Sequence, residues 1–99
     1  FPIAAEQIFY ESSSGLTCAF VNLRPLTEGH VLVTPRRTVR RMCMLTDEEF
    51  DDLWRSARDV QKVIELATGA SSSELGVQDG REAGQSVPHV HVHVLPRHK

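Results

Sequence analysis

A net charge of any size is missing from this chain: 11 Lys and Arg against 13 Asp and Glu leave −2 over 99 residues, with acids and bases interleaved. That excludes a field strong enough to hold nucleic acid or an anionic membrane nonspecifically. No apolar run approaches the roughly 20 residues a membrane helix needs, and the opening FPIAAEQIFY lacks the basic head and apolar core of a secretory signal. The chain starts at Phe1 rather than Met, so it reads as a processed form or an excised piece, and the expected location is cytoplasmic, or nuclear as well. Cysteines number only two. Cys18 lies in an apolar run and Cys43 lies between Met42 and Met44, a spacing that suits neither a disulfide framework nor a metal site, so both read as reduced, packed residues. Repeats and low-complexity segments are lacking too, apart from SSS at 12–14 and 71–73, which is turn-like. What remains is one domain with one core, expected to take a small ligand.

Strand signals come early. QIFYE, Gln7 to Glu11, and LTCAFVN, Leu16 to Asn22, flank the turn SSSG as a hairpin, and the second run is apolar enough to be covered on both faces. RPLTEG, punctuated by Pro25 and Gly29, leads into a third strand, HVLVTP, at His30 to Pro35. Thr46 and Glu49 then form a T-x-x-E capping box, in which each side chain satisfies the other residue's N–H. Phe50, Leu53, Trp54, Ala57, Val60, Ile64 and Ala67 follow at helical spacing, giving one apolar stripe that faces a sheet. Phe50 and Trp54 read as core. Gly69 suits the position of positive φ that ends a helix, so the helix is expected from Asp47 to Thr68. SELGVQ, Ser73 to Gln78, makes a further strand, DGREAGQSVP a loop, and HVHVHVLP the last strand. The pattern is antiparallel α+β.

That last strand holds three of the five histidines. A period of two puts His89, His91 and His93 on one face, about 6–7 Å apart, and Val90, Val92 and Val94 on the other. Massed imidazoles are seldom packing residues, because buried polar groups need partners. Two chemistries suit them. Imidazole is the usual zinc ligand, and catalytic zinc takes three histidines. Against this, successive residues of one face make a line rather than a half-shell, and no acidic residue in the segment serves to activate a metal-bound water. The other chemistry surrounds a reacting phosphate. Gly80 and Gly84 allow close backbone approach, Gln85 and Ser86 are donors, and the middle imidazole attacks phosphorus while its neighbours bind oxygens and protonate the leaving group.

HVHVHV resembles the His-φ-His-φ-His-φ pattern, φ being apolar, of the histidine-triad (HIT) superfamily. With QDGREAGQSVPHVHVHVLPR, FVNLRPLTEGHVLVTP and the capped helix between them, the chain is most similar to the fragile histidine triad branch, the dinucleoside polyphosphate hydrolases. The ending Leu95-Pro96-Arg97 separates it from the nucleoside phosphoramidase branch, where glycines usually follow the triad. The resemblance implies a single HIT domain over 1–99, an α+β fold with an antiparallel sheet of about five strands and one long helix. It implies hydrolysis of diadenosine triphosphate-like substrates to AMP and a nucleoside diphosphate through a nucleotidyl-histidine. The alternatives are a nucleoside phosphoramidase, a nucleotide-binding signalling module of slow turnover, and a metal-dependent hydrolase.

By motif position, His91 is the implied nucleophile, His89 and His93 flank the scissile phosphate, and His30 orients the triad as a fourth histidine. Asn22 matches a nucleotide-contacting asparagine, and Gln78, Gln85 and Ser86 are implied contacts to phosphate or ribose. Ile8, Phe20 and Leu32 are candidates for the wall against the base. No resident cofactor or metal is implied, only a divalent cation accompanying the polyphosphate. The implied partners are the nucleotide and a second copy of the chain, with neither nucleic acid nor membrane.

Two features depart from that branch. The chain stops at Lys99, where members continue, so C-terminal structure is expected beyond it. PRRTVRRM places four arginines in six residues at 36–41, read either as a solvated loop or as Arg36 or Arg37 touching distal phosphates of a longer substrate.

Overall fold

In a computed structural model, residues 7–22 and 29–99 are described. The Pro25 punctuation and the opening FPIAAE lie outside them. The elements run β1 (Ile8–Glu11), β2 (Thr17–Val21), β3 (Val31–Pro35), α1 (Asp47–Thr68), β4 (Ser72–Gly76) and β5 (Val92–Arg97), with 3-10 turns at Met42–Met44 and Arg81–Ala83. The five strands form one sheet in the order β1-β2-β3-β5-β4, antiparallel at every pairing. The expected α+β architecture of five strands and one long helix is the one found.

α1 begins and ends where its local chemistry directs. The Thr46 hydroxyl accepts from Glu49 N–H, Glu49 returns a carboxylate oxygen to Thr46 N–H, and Gly69 closes the helix at φ 74°. Leu53, Ala57, Val60 and Ile64 bury against Ala19, Val31, Val33, Val92 and Val94. Burial of each leucine, isoleucine or valine side chain among these contributes about 1.5–3 kcal/mol. The stripe is narrower than expected: Trp54 is half-buried and packed against the core, whereas Phe50 is 44% exposed. Phe50 is in the first turn, and its ring is tilted against that of Trp54, 6.5 Å between centroids. Cys43 is also exposed rather than packed, while Cys18 is buried. Asp52 fastens the β1–β2 turn to the helix by accepting from Thr17 Oγ1 at 2.6 Å and Ser14 Oγ at 2.7 Å. No described helix is long and apolar enough to cross a membrane.

β5 starts three residues later than the alternation suggests, at Val92 rather than His89. Pro35 has no N–H to continue the ladder from β3. Instead the Thr34 hydroxyl donates to the Val90 carbonyl at 3.0 Å, and Val90 N–H donates to the Val39 carbonyl at 2.7 Å. The side chains still alternate, so Val90, Val92 and Val94 are all buried on the helix side.

Candidate active site

The register places one residue from each strand in a row: Ile8 opposite Phe20, Phe20 opposite Leu32, Leu32 opposite His93, and His93 opposite Gly76. Directly paired residues share a face, so the three apolar residues expected at the base and one triad histidine lie on the sheet surface turned away from α1. His30 and Thr34 belong to the same face at two-residue spacing from Leu32. Phe20 and Leu32 are buried and Ile8 is half-buried.

The imidazoles hold one another in defined tautomers. Asn22 Nδ2 lies 3.3 Å from His30 Nδ1, and His30 Nε2 lies 2.9 Å from His93 Nδ1. An amide N–H donating to His30 Nδ1 leaves the ring proton on Nε2. That proton is donated to His93 Nδ1, so the His93 proton is on Nε2. His91 Nδ1 lies 2.8 Å from the His89 carbonyl, which can only accept, so the His91 lone pair is on Nε2. His89 Nε2 likewise faces acceptors, the Pro35 carbonyl at 2.9 Å and Thr34 Oγ1 at 3.0 Å.

Burial lowers the pKa of three of these rings, His30, His89 and His93. It pushes the His93 imidazole down to about 4, reinforced by repulsion from His91 and His30. Burial lowers His30 too, with His91 and Arg97 adding repulsion, and lowers His89 against the opposing effect of its bond to Pro35. His93 Nε2 is shielded and has no hydrogen-bond partner among the described residues. The rings of His91 and His93 meet edge to face, 4.8 Å between centroids.

The loop before the triad differs from expectation at Gln85. Its amide oxygen accepts from Gly80 N–H at 2.8 Å, and its Nε2 donates to the Arg40 and Val87 carbonyls at 2.8 and 3.0 Å. Both amide protons are thereby engaged, so Gln85 pins the loop instead of offering a donor to phosphate. Ser86 is exposed, with hydroxyl and N–H unengaged by described residues. Gln78 is exposed and lies against Gly84, where an added Cβ would stand 2.7 Å from Gln78 Nε2 at a φ of 95°. The glycine is needed for both space and conformation.

Arg36 and Arg37 are each paired with a carboxylate. Arg36 pairs with Glu11, and Arg37 grips Glu49 with two nitrogens at 2.8 and 2.9 Å. Both side chains are exposed, as the solvated-loop reading expects, with each charge set against a carboxylate. Thr34 and Pro35, which anchor His89, carry no motif in the sequence, although Thr34 is on the face that the period of two assigns to His30 and Leu32. Among the described residues, no group of three His, Cys, Asp or Glu is arranged to hold a metal ion.

A profile of the HIT domain family matches residues 4–99. The chain is 54% identical over 99 residues to the bis(5'-nucleosyl)-tetraphosphatase [asymmetrical] of Schizosaccharomyces pombe, covering all of this chain and 53% of that protein. It is 45% identical over 97 residues to the bis(5'-adenosyl)-triphosphatase of Dictyostelium discoideum, 98% of this chain and 64% of that one. The crystal structure of the Caenorhabditis elegans NitFhit protein superposes with a TM-score of 0.93 at 49% identity, covering 98% of this chain and 23% of that chain. The chain thus spans about half the length of the S. pombe relative.

Proposed function

This chain belongs to the HIT-domain family, and on that premise we propose that it hydrolyses dinucleoside polyphosphates through a nucleotidyl-histidine intermediate on His91. One observation carries the reading: the His91 Nδ1 to His89 carbonyl bond of 2.8 Å leaves the lone pair on Nε2, beside a His93 whose Nε2 bears a proton. In the first step His91 Nε2 attacks the α-phosphorus, and the P–O bond to the departing nucleoside polyphosphate breaks, its electron pair leaving on oxygen. Water then attacks phosphorus, the N–P bond breaks, and a nucleoside monophosphate departs with His91 restored. His93 Nε2–H is the donor to a phosphate oxygen, fixed by His30 and Asn22, and His89 flanks the same phosphate. Ser86 and Gln78 are the further polar contacts, and Ile8, Phe20 and Leu32 form the wall beneath the base. Any divalent cation accompanies the substrate polyphosphate. The relatives include both a triphosphatase and a tetraphosphatase, which supports the class and leaves the chain length open.

The same reading takes a second copy as partner. β4 is an edge of the sheet, and on the neighbouring helix Leu66 is 86% and Val63 48% exposed, an apolar strip suited to a two-fold interface.

A single-turnover quench with labelled diadenosine triphosphate tests the reaction. Acid-labile label on the protein, absent in His91→Asn, is expected. Turnover without label, or inactivation by EDTA reversed by zinc, would refute it.

A further inference from the structure

The arginine run divides into groups that differ in their partners. Arg36, Arg37 and Arg41 are bound to Glu11, Glu49 and Asp79. Arg40 has no carboxylate partner among the described residues, and neither does Arg81 from the loop preceding the triad. Arg40, Arg41 and Arg81 line one cleft of about 450 Å³, together with Ser86 and the acidic Glu82. Val87 and Pro88, the two residues before His89, also line it.

Its frame is built by hydrogen bonds rather than left to a loose surface. Gln85 stitches the two arginine-bearing segments together by accepting from Gly80 and donating to the Arg40 carbonyl. Asp79 receives both Arg41 Nε and Met42 N–H at 3.0 Å. At Gly80 the two segments approach so closely that a Cβ would stand 3.2 Å from the Arg41 guanidinium, at a φ of 105°. Asp79 and Glu82 set two negative charges against the three guanidinium groups, both acting on Arg41, so one positive charge remains. The charge and the guanidinium geometry select a polyphosphate.

We infer that this cleft is the subsite for the distal phosphates of the departing nucleotide, with Arg40 and Arg81 as its determinants of chain length. The inference rests on the proposed hydrolase reading: a substrate whose reacting phosphorus is at His91 extends its remaining phosphates past Ser86 into the cleft. Each added phosphate gains a guanidinium contact, so the preference runs toward longer chains.

The test compares the wild type with Arg40→Gln/Arg81→Gln on diadenosine tri-, tetra- and pentaphosphate. Both side chains are exposed, so the variant is expected to fold. Loss of kcat/KM should increase with phosphate number, reaching about tenfold for each guanidinium removed on the longer substrates. Equal loss at all three lengths, or none, overturns the assignment. If the wild type turns over none of the three, the reaction reading fails and calorimetry with inorganic tetrapolyphosphate decides the cleft alone. Binding weakened about tenfold in the double variant would uphold it, and equal binding by both proteins would overturn it.

Discussion

His30 Nε2 and His93 Nδ1 lie 2.9 Å apart, although 63 positions separate the two residues in sequence. The contact transmits the donor character of the Asn22 amide through two rings to His93 Nε2, because a neutral imidazole has one N–H and one lone pair. Asn22→Asp reverses the polarity of that chain: a carboxylate accepts, so His30 Nδ1 must carry the proton and His93 Nε2 is left a lone pair. We expect kcat to fall by about 10²–10³, the usual cost of a lost oxyanion donor. Asn22→Ala, which imposes no tautomer, should fall less. Steady-state kinetics of both variants on diadenosine triphosphate separates positioning from contact, since loss of a ribose contact alone would raise KM equally in the two.

Removing the nucleophile and removing its neighbours should differ in kind. His91→Asn is expected to abolish turnover and keep nucleotide affinity, because an amide hydrogen-bonds phosphate but cannot displace the leaving group. His93→Asn should retain measurable activity, reduced by about 10²–10³ for the lost donor, and His89→Asn should retain more, because the His89 Nε2–H is already engaged by Pro35 and Thr34. Equal losses in all three, accompanied by sensitivity to chelators, would point to a shared metal instead.

Acid should destabilise the protein in the range set by the buried imidazoles. His93 is held to about 4 in the fold, against 6.5 for an ordinary imidazole, and His30 and His89 are lowered in the same direction. Between about pH 6.5 and 4 the unfolded chain therefore binds more protons than the folded one, and stability falls as pH falls. Urea midpoints measured from pH 7 to 4.5 should decline, with a shallower slope in His93→Asn. An unchanged slope in that variant would remove His93 from the account.

Glu49 titrates at the other end of the acid range. The Arg37 hydrogen bonds, then the Thr46 N–H, pull its carboxyl down to about 2. Its contribution is present above the ordinary value of 4.5 and is lost as pH falls toward about 2. Glu49→Ala removes half of the capping box and deprives Arg37 of its carboxylate partner, for an expected loss of about 1–2 kcal/mol by urea denaturation.

Assembly can be read by sedimentation. We expect a dimer at micromolar concentration, shifted toward monomer by Leu66→Glu, which sets a charge into the apolar strip. A wild-type monomer at that concentration would exclude the interface.

Local chemistry by itself determined α1 and the triad's alternation. Thr46, Glu49 and Gly69 close their hydrogen bonds within four residues, so their partners are adjacent in sequence and the helix limits follow. The alternation of His and Val needs only the two-residue period of extended chain, and the buried valines agree with it. The HIT motif was visible for the same reason, being continuous from Gln78 to Arg97. Tertiary structure decided what depends on distant partners. β5 begins at Val92 because Pro35 cannot donate and Val90 turns to Val39. Phe50 is exposed because the sheet covers only part of the helical stripe. Gln85 holds a loop because Gly80 and Arg40 converge on it, and Arg37 is engaged because Glu49 reaches it. The tautomers of His30 and His93 follow from whichever donor or acceptor faces each nitrogen, and only the fold brings His93 to within about 3 Å of His30, where a hydrogen bond acts.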